Sequence, residues 1–395
     1  MTQTTPRTGP LAGTTVVELA GLGPGPFAAM LLADLGADVV RVDRTVPAGL
    51  QLGNGARKDV VNRGKRSIAV DLKNPRGREV VLDLVGGADA LIEGFRPGVA
   101  ERLGLGPEDC WARNPRLVYG RMTGWGQEGP LASVAGHDID YIALTGALWA
   151  LGREDEAPAP PLNMLGDYAG GSMFLVMGVL AGMLEAQRSG QGQVVDAAMV
   201  DGTSVLTTMF TAMAGMGAWD LSRRAANPLD SAAPWYDVYE CADGKWIAVG
   251  AIEAQFYAEL VRVSGFREGQ DDSRFRQGPP SEWAAEKKEW AAHWRTRTRD
   301  EWAALLGGTD ACVQPVLDWS ERERHPHLAT RGTYVELDGV VQAAPAPRLS
   351  RTPLSVQGLP PLPGEHTREV LAGLGLADDA VADLLASGAV GHAAT

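Results

Sequence analysis

Short apolar runs rich in valine and isoleucine alternate with longer amphipathic segments over the first 225 residues. The first segments predict a strand at Thr14–Ala20, a helix at Pro26–Leu35 that ends before Gly36, and a second strand at Ala37–Asp43. The alternation continues with a helix at Arg76–Val85, strands at Ala88–Ile92, Arg116–Arg121 and Gln193–Ala198, and helical stretches at Ile139–Leu151, at Tyr168–Gln187 and from residue 199 to about Met216. Such alternation predicts an α/β domain, a Rossmann-like parallel sheet with helices on both faces.

The pattern changes near residue 225, which predicts a second, smaller α+β domain. Two alternating strands, Trp235–Glu240 and Lys245–Gly250, flank a turn typical of a hairpin, and helical stretches follow at Glu253–Val263 and Glu282–Leu306. A Pro-rich segment then leads to two short amphipathic helices. We therefore expect a large domain over residues 1–225, a small domain over residues 226–330, and a C-terminal segment, residues 331–395, that returns to the large domain.

The composition narrows the class of protein. The chain has 395 residues, of which 45% are hydrophobic and 22% charged, as in ordinary globular enzymes. A net charge of −13 argues against nucleic-acid binding, and three widely spaced cysteines predict neither a disulfide framework nor a metal site. The N-terminal residues lack the apolar core of a signal peptide, and the longest apolar run, Met173–Met183, is too short to span a bilayer. We expect a cytoplasmic protein with no nucleic-acid or membrane partner.

Positive charge is concentrated between Arg41 and Glu79, a segment we call the basic island. It holds ten Lys and Arg against four Asp and Glu, so its net charge is +6 and the rest of the chain carries −19. This island is either a site for the phosphates of a small anionic ligand or a solvated basic face. Gly94 and Arg96 follow a predicted parallel strand, at the sheet edge where α/β proteins bind ligands.

The spacing of the residues in the first turn matches a dinucleotide-binding fingerprint. Gly23, Gly25 and Ala28 have the required spacing, and Asp43 follows about twenty residues later. Pro24 and Pro26, however, have no backbone N–H, and that type of loop binds pyrophosphate through its N–H groups. The sequence therefore disfavours NAD or FAD at this turn.

His137 and Asp167 lie in matching surroundings. Small residues precede each of them, and an apolar, helix-like stretch follows each. This placement predicts two acid/base groups that face one reaction centre and move a proton from one face of a carbon to the other. The alternatives are a structural histidine and an aspartate that caps a helix. Glu253 follows a strand of the small domain, where by itself it is typical of a surface or capping residue.

Several longer segments carry a family resemblance. They read GLGPGPFAAMLLADLGADVVRVDR, NRGKRSIAVDLK, LIEGFRPGVAERLGLGP, RMTGWGQEGP, AGHDIDYIALTGAL and PGEHTREVL. Together they resemble the family III CoA-transferase superfamily over nearly the whole chain. One difference from the family is the long segment Thr45–Asn62, whose contacts with CoA the resemblance leaves open. Eight of the eleven methionines lie between Met164 and Met216; core packing is one interpretation, and an apolar surface for an acyl chain is what the resemblance implies.

The resemblance implies roles for individual residues. His137 and Asp167 match an acid/base pair, and Glu253 matches a small-domain glutamate that lies close to the histidine. Contacts with a CoA thioester are implied for Arg44, Val70, Asp71, Leu72, Lys73, Gly94, Phe95, Arg96, Arg102, Gly136, Asp138, Ile139, Asp140 and Tyr141. It further implies an interlocked homodimer, in which one subunit's large domain and the other's small domain build each active site.

Three functions follow as expectations. His137 favours the racemase branch, because the transferases that resemble this chain lack a histidine there; the reaction is then inversion at C2 of a 2-methylacyl-CoA thioester by 1,1-proton transfer through an enolate. Neither a metal nor a redox cofactor enters such a reaction. The closest alternative is CoA transfer between carboxylic acids, with Asp167 as the nucleophile that forms an acyl anhydride. A more distant one is a non-catalytic protein that binds CoA or a nucleotide.

Overall fold

The computed structural model describes residues 7–46 and 56–392, and these residues form two compact units. The first unit comprises the described residues up to Thr145, residues Leu162–Leu206 and the described residues from Gly332 onward. The second unit comprises Gly146–Pro161 and Thr207–Arg331.

This division differs from the predicted boundary at residues 225 and 226. Residues 146–161 and 207–225 lie in the second unit, although the sequence pattern placed them in the large domain. Arg224 illustrates the physical reason, because its guanidinium donates hydrogen bonds to the carbonyl oxygens of Trp149 and Arg153 at 3.0 and 2.9 Å. Polar contacts between segments so far apart in the chain leave no mark on local hydrophobic periodicity.

Strands and helices are named in chain order. The described strands are β1 (Thr15–Leu19), β2 (Asp38–Asp43), β3 (Arg66–Val70), β4 (Ala90–Glu93), β5 (Val118–Thr123), β6 (Val194–Ala198), β7 (Tyr236–Glu240), β8 (Trp246–Gly250), β9 (Val313–Pro315), β10 (Tyr334–Leu337), β11 (Val340–Ala343) and β12 (Val390–Gly391). The described α-helices are α1 (Pro24–Asp34), α2 (Pro75–Gly86), α3 (Val99–Arg102), α4 (Pro107–Trp111), α5 (Asp138–Leu144), α6 (Met173–Ser189), α7 (Met199–Leu206), α8 (Thr208–Gly215), α9 (Ala254–Ser264), α10 (Trp283–Trp294), α11 (Arg299–Leu306), α12 (Pro326–Arg331), α13 (Thr367–Gly373) and α14 (Asp378–Ala386). A π-helical segment, Met164–Ser172, runs directly into α6.

The first unit is built on a seven-stranded sheet in the order β12-β3-β2-β1-β4-β5-β6. All neighbouring strands are parallel except the edge strand β12, which pairs antiparallel with β3. Successive residues of each strand point to opposite faces, so Val17 packs in one apolar cluster with α2, α13 and α14, while Val16 packs in another with α1 and α6. The predicted α/β class, with a mostly parallel sheet and helices on both faces, is confirmed.

Several predicted elements end earlier or are divided. The helical stretch predicted over Ile139–Leu151 stops at Leu144, because Gly146 shortly afterwards takes a left-handed φ of +79°. The stretch predicted over 282–306 is two helices, α10 and α11, and Thr298 caps the second by accepting the N–H of Glu301 at 3.3 Å. The β10–β11 hairpin was missed, although its Asp338-Gly339 turn is a strong hairpin signal.

The longest apolar helix is longer than the sequence pattern predicted. Because the π-helical segment continues into α6, residues Met164–Ser189 form one helical run of 26 residues with a mean hydropathy of 1.5 in its most apolar window. By length and composition alone this run is able to cross a membrane, which corrects the expectation that no stretch is long enough. Half of that window is buried, as in the core helices of many globular proteins. Leu175 and Val179 of α6, for example, pack closely on Gly120 of β5.

The second unit has its own core. Strands β7, β8 and β9 form an antiparallel sheet in that order, and the hairpin predicted at residues 235–250 is observed as β7 and β8. Trp290, Trp294 and Trp302 are at most 1% exposed and pack with Tyr257. The Trp-rich charged stretch of the sequence is thus the core of this unit.

One buried ion pair of the first unit links the sheet to the basic island. Lys65 Nζ lies 2.7 Å from Glu18 Oε2, and the two side chains are 0% and 1% exposed. The same ammonium donates hydrogen bonds to the carbonyl oxygen of Pro26 and to Asn62 Oδ1, both at 2.9 Å. Lys65 therefore connects the end of β1, the start of α1 and the segment before β3.

We expect Lys65→Met to lower the free energy of unfolding by about 3–5 kcal/mol, because it leaves the Glu18 carboxylate buried without this counter-charge. The matched control is Arg113→Met, which removes exposed ion pairs to Glu79 and Asp83 and should cost about 1 kcal/mol or less. Urea unfolding followed by circular dichroism measures both. Equal, small losses in the two variants would contradict the role given to Lys65.

Candidate active site

The candidate site lies at the carboxyl ends of the parallel strands. Gly23 follows β1, Arg44 follows β2 and Gly94 follows β4, next to the point where the strand order reverses about β1. Open α/β sheets bind ligands in the crevice at that edge. The turn after β1 is also where Asp167 arrives, since a β-carbon added to Gly23 would lie 3.0 Å from Asp167 Oδ2.

His137 precedes the first residue of α5 and is exposed. Its backbone is extended, with φ −132° and ψ 174°, and its N–H donates to Asp140 Oδ2 at 2.9 Å. The Tyr141 hydroxyl donates to the carbonyl oxygen of Gly136, and the ring of Tyr141 packs edge-on against Trp125 with centroids 4.7 Å apart. These contacts fix the backbone on both sides of His137 while its imidazole stays accessible.

Asp167 lies inside the π-helical segment, not at the N-cap of a helix as one interpretation of the sequence had it. Segments of this kind are rare and occur often at functional sites. Gly170 and Gly171 of the same segment lie against α7, where a β-carbon on either would overlap Thr203 or Met199. The two glycines therefore allow another helix of the same unit to approach this segment closely.

The carboxylate of Asp167 is half-buried and held on one oxygen. Asn163 Nδ2 donates to Oδ2 at 3.0 Å, and Gly23 lies against the same oxygen. Burial raises the pKa of the Asp167 carboxyl; the Asn163 hydrogen bond lowers it, the negative charge of Asp138 raises it, and the charge of His137 lowers it. The Asp167 N–H donates to the side chain of Asp138, the residue after His137, so the two groups lie on neighbouring segments.

Asp138 differs from Asp140 and Asp167 because it is buried, with only 5% of its surface exposed. Its Oδ2 accepts the N–H of Asp167 at 2.7 Å. Burial raises the pKa of the Asp138 carboxyl, while hydrogen bonds from the N–H groups of Asp167 and Gly166 lower it. The side chain therefore bridges α5 and the π-helical segment, whereas the prediction for this residue was a contact with the ligand.

Among the residues predicted to contact CoA, four are cations: Arg44, Lys73, Arg96 and Arg102. All four are exposed, and none forms an ion pair with another residue of the described chain. Arg44 follows β2, Lys73 lies in the turn after β3, and Arg96 and Arg102 lie after β4 and in α3. They are thus available to bind an anion.

Most other cations of the basic island are already paired. Arg41 pairs with Asp43, Arg57 with Glu365, Lys58 with Asp338, Arg63 with Asp34, Lys65 with Glu18, Arg66 with Asp38, and Arg76 with Asp383. Seven of the ten Lys and Arg of the island thus have intrachain carboxylates as partners, which leaves three without an ion pair in the described chain. Arg44 and Lys73 are two of the remaining three. Residues 47–55, which include part of the segment Thr45–Asn62, lie outside the described residues.

The other predicted contact residues fall into two groups. Val70 is buried in the apolar core, so only its backbone is available to a ligand, and Asp71 and Leu72 continue from it into the turn. Gly94 is exposed and Phe95 half-buried, directly after β4, while Ile139 and Asp140 are exposed on the first turn of α5. Gly136 and Tyr141 bond to each other instead, as described above.

Glu253 is exposed in the second unit, immediately before α9, and its carbonyl oxygen accepts the N–H of Tyr257 at 3.0 Å. It occupies the N-cap position of α9, but its side chain forms no capping hydrogen bond. Its pairing with His137, which lies in the first unit, stays a prediction.

Three residues of the site were missed from the sequence. Gly23 makes room for the Asp167 carboxylate, Asn163 bonds to it, and Glu93 accepts the N–H of Phe95 at 2.6 Å. Glu93 is 3% exposed, and burial raises the pKa of its carboxyl to about 7. The available sequence signal was that the Gly-rich segment after β1 favours a left-handed turn. That signal did not indicate that the Asp167 carboxylate lies against the turn. No cluster of three or more potential metal-ligating side chains occurs among the described residues.

Comparison with known proteins adds to this geometry. The sequence profile of CoA-transferase family III matches residues 11–367. The chain belongs to CoA-transferase family III. It is 43% identical to mouse alpha-methylacyl-CoA racemase over 377 residues, which cover 95% of this chain and 96% of the relative.

Relatives in the family include transferases. The chain is 32% identical to succinyl-CoA–D-citramalate CoA-transferase of Chloroflexus aurantiacus over 397 residues, covering 95% of this chain and 97% of the relative. A crystal structure of a CaiB/BaiF family protein from Brucella suis superposes with a TM-score of 0.78 and 27% identity, covering 93% of this chain and 100% of that one. Both chemistries are thus found on this family's fold.

Proposed function

We propose that the protein is a racemase that interconverts the 2R and 2S forms of 2-methylacyl-CoA thioesters. The observation that carries the proposal is the pair His137 and Asp167: an accessible imidazole and a half-buried carboxyl, on segments joined by the hydrogen bond from the Asp167 N–H to the Asp138 side chain. The higher identity to a racemase, 43% against 32% for a transferase, supports the same choice.

The reaction is a 1,1-proton transfer. One of the two groups, depending on the enantiomer, removes the proton from C2 of the thioester, and the other returns a proton to the opposite face. The raised pKa of Asp167 suits this role, since a carboxyl closer to neutrality is a better base when ionised and a better acid when protonated. The bound substrate and two proton-transfer groups complete the reaction, so we propose that no metal or redox cofactor takes part.

The intermediate is an enolate whose charge lies on the thioester oxygen. Asp138 and Ile139 open α5, and the first N–H groups of a helix have no acceptor within the helix. We propose that the Asp138 N–H donates to this oxygen, while the side chain of Asp138 points the other way, into the protein. Removal of such a donor typically costs about 10²–10³-fold in rate.

The phosphates of CoA are assigned to the four unpaired cations Arg44, Lys73, Arg96 and Arg102. Guanidinium groups match phosphate oxygens in a two-pronged geometry, and lysine adds a point charge. Backbone groups of Val70–Lys73 and Gly94–Arg96 lie at the same sheet edge. Glu93 supports the segment Gly94–Arg96 by accepting the N–H of Phe95.

We further propose a homodimer, in which Glu253 orients His137 as a carboxylate orients histidine in hydrolase triads. The support is an apolar surface on α6, where Met173, Met177 and Leu184 are each more than half exposed on one side of the helix. Exposed apolar stripes of this size are typical of contact surfaces.

The first experiment incubates one enantiomer of a 2-methylacyl-CoA in D2O without any second carboxylic acid. We expect the substrate to lose optical purity while deuterium enters at C2, and NMR monitors both changes. For His137→Ala we expect a reaction about 10²–10⁴-fold slower. A substrate that stays inert until an acceptor acid is added would favour the transferase alternative. Full activity of His137→Ala would contradict the acid/base role of the histidine.

We expect Arg102→Ala to weaken CoA binding about 3- to 30-fold, equivalent to about 1–2 kcal/mol, because it removes an unpaired cation. The control is Arg76→Ala, another exposed arginine, whose guanidinium is paired with Asp383 at 2.6 Å. Calorimetric titration with CoA at two salt concentrations measures the affinity, and the difference between the variants should shrink at high salt. Equal affinities would remove Arg102 from the binding site.

Sedimentation should give twice the mass of the chain for the wild-type protein. Met177→Glu places a charge on the exposed side of α6 and should shift the protein towards monomer, since a buried unpaired charge is costly. A wild-type monomer at micromolar concentration would contradict the homodimer.

A further inference from the structure

The buried carboxylate of Asp138 has an unusual set of partners. It accepts backbone N–H groups of the segment that carries Asp167, at 2.7 Å for Asp167 itself, although it belongs to the helix that follows His137. No Lys or Arg of the described chain forms an ion pair with it. Its second oxygen, Oδ1, is buried without a hydrogen-bond partner among the described residues.

The cost of this arrangement argues that it serves the site. A buried carboxylate without a cation is expensive, and an unpartnered oxygen adds to that expense. An uncharged residue at this position would avoid both costs. Strained or costly arrangements persist mostly where function requires them.

The chain is also shaped to admit this carboxylate. Gly166 precedes Asp167, and a β-carbon there would overlap the Asp138 carboxylate. On its other side Asp167 is limited by Gly23, and its carbonyl oxygen lies 2.9 Å from the Ser172 hydroxyl. The hydrogen bond from the Asp167 N–H to Asp138 is therefore a direct link between the Asp167 backbone and α5.

We propose that the Asp138 side chain is a positioning residue that holds Asp167 at a fixed distance from His137 and, through its negative charge, keeps the Asp167 carboxylate a strong enough base. The inference rests on the proposed racemase function and concerns the side chain, whereas the backbone N–H of Asp138 is assigned to the enolate. The two roles can be tested separately, because the hydrogen bond fixes the position of Asp167 and the negative charge increases the basicity of its carboxylate.

Substitutions separate the two properties. Asp138→Asn retains an oxygen that accepts the N–H groups but loses the charge. Asp138→Ala loses both, and Gly166→Ala leaves the carboxylate intact but forces it away from the segment. The matched control is Asp109→Asn, the same exchange at an exposed carboxylate that accepts the N–H of Gly106 at 3.1 Å outside the site.

The measurement is kcat and KM for racemisation as a function of pH, with the melting temperature of each variant. For Asp138→Asn we expect the acidic limb of the kcat profile to move to lower pH, since removal of a neighbouring negative charge lowers the pKa of Asp167. For Asp138→Ala and Gly166→Ala we expect kcat to fall about 10²-fold with little change in KM, as for a misplaced catalytic group. Asp109→Asn should match the wild type.

Different results overturn different proposals. A wild-type protein that exchanges no proton at C2 overturns the racemase function, and this inference with it. An active wild type with an unshifted profile in Asp138→Asn overturns the electrostatic role. An unchanged kcat in a folded Asp138→Ala variant overturns the positioning role. If that variant does not fold, an unchanged kcat in Gly166→Ala overturns the same role.

Discussion

The buried carboxylate of Asp138 is the contact on which the candidate site depends. It joins the helix that opens after His137 to the π-helical segment that contains Asp167, and so connects two chain segments about thirty residues apart. Within its own segment, His137 is held through Asp140, and Asp167 through Asn163. One buried acceptor thus fixes a geometry that neither segment specifies by itself.

That contact is possible only because small residues surround it. Gly166 admits the carboxylate, Gly23 admits the side chain of Asp167, and Gly170 lets the segment lie against α7. The π-helical backbone turns more widely than an α-helix, which places Asp167 beside the loop after β1 and leads without a break into the core helix α6. At these glycines the backbone itself packs closely against its neighbours, whereas elsewhere in the core larger side chains fill the space.

The sequence allowed most of the sheet to be predicted, because β1, β2, β4, β5 and β6 are short apolar runs separated by helices, a pattern that each element carries locally. It also indicated His137 and Asp167, whose joint role stays a proposal. It could not show that Arg57 pairs with Glu365 or Arg76 with Asp383, because these partners lie more than 300 residues away in the chain. The sequence therefore overstated how many cations of the basic island lack an ion pair. The bridging role of Asp138 was equally hidden, since burial depends on the tertiary structure and not on local pattern.

The family supports both proton transfer and CoA transfer, and the geometry explains why one aspartate serves for either. Asn163 donates to Oδ2 of Asp167 and Gly23 lies against the same oxygen, so we propose that Oδ1 is the oxygen that acts on a substrate. An oxygen so placed attacks an acyl carbon or accepts a proton from the neighbouring carbon with little change in its own surroundings. Asp167 therefore does not decide between the two reactions. A second proton-transfer group opposite it does, because inversion needs a proton delivered from the other face, and we propose His137 for that role.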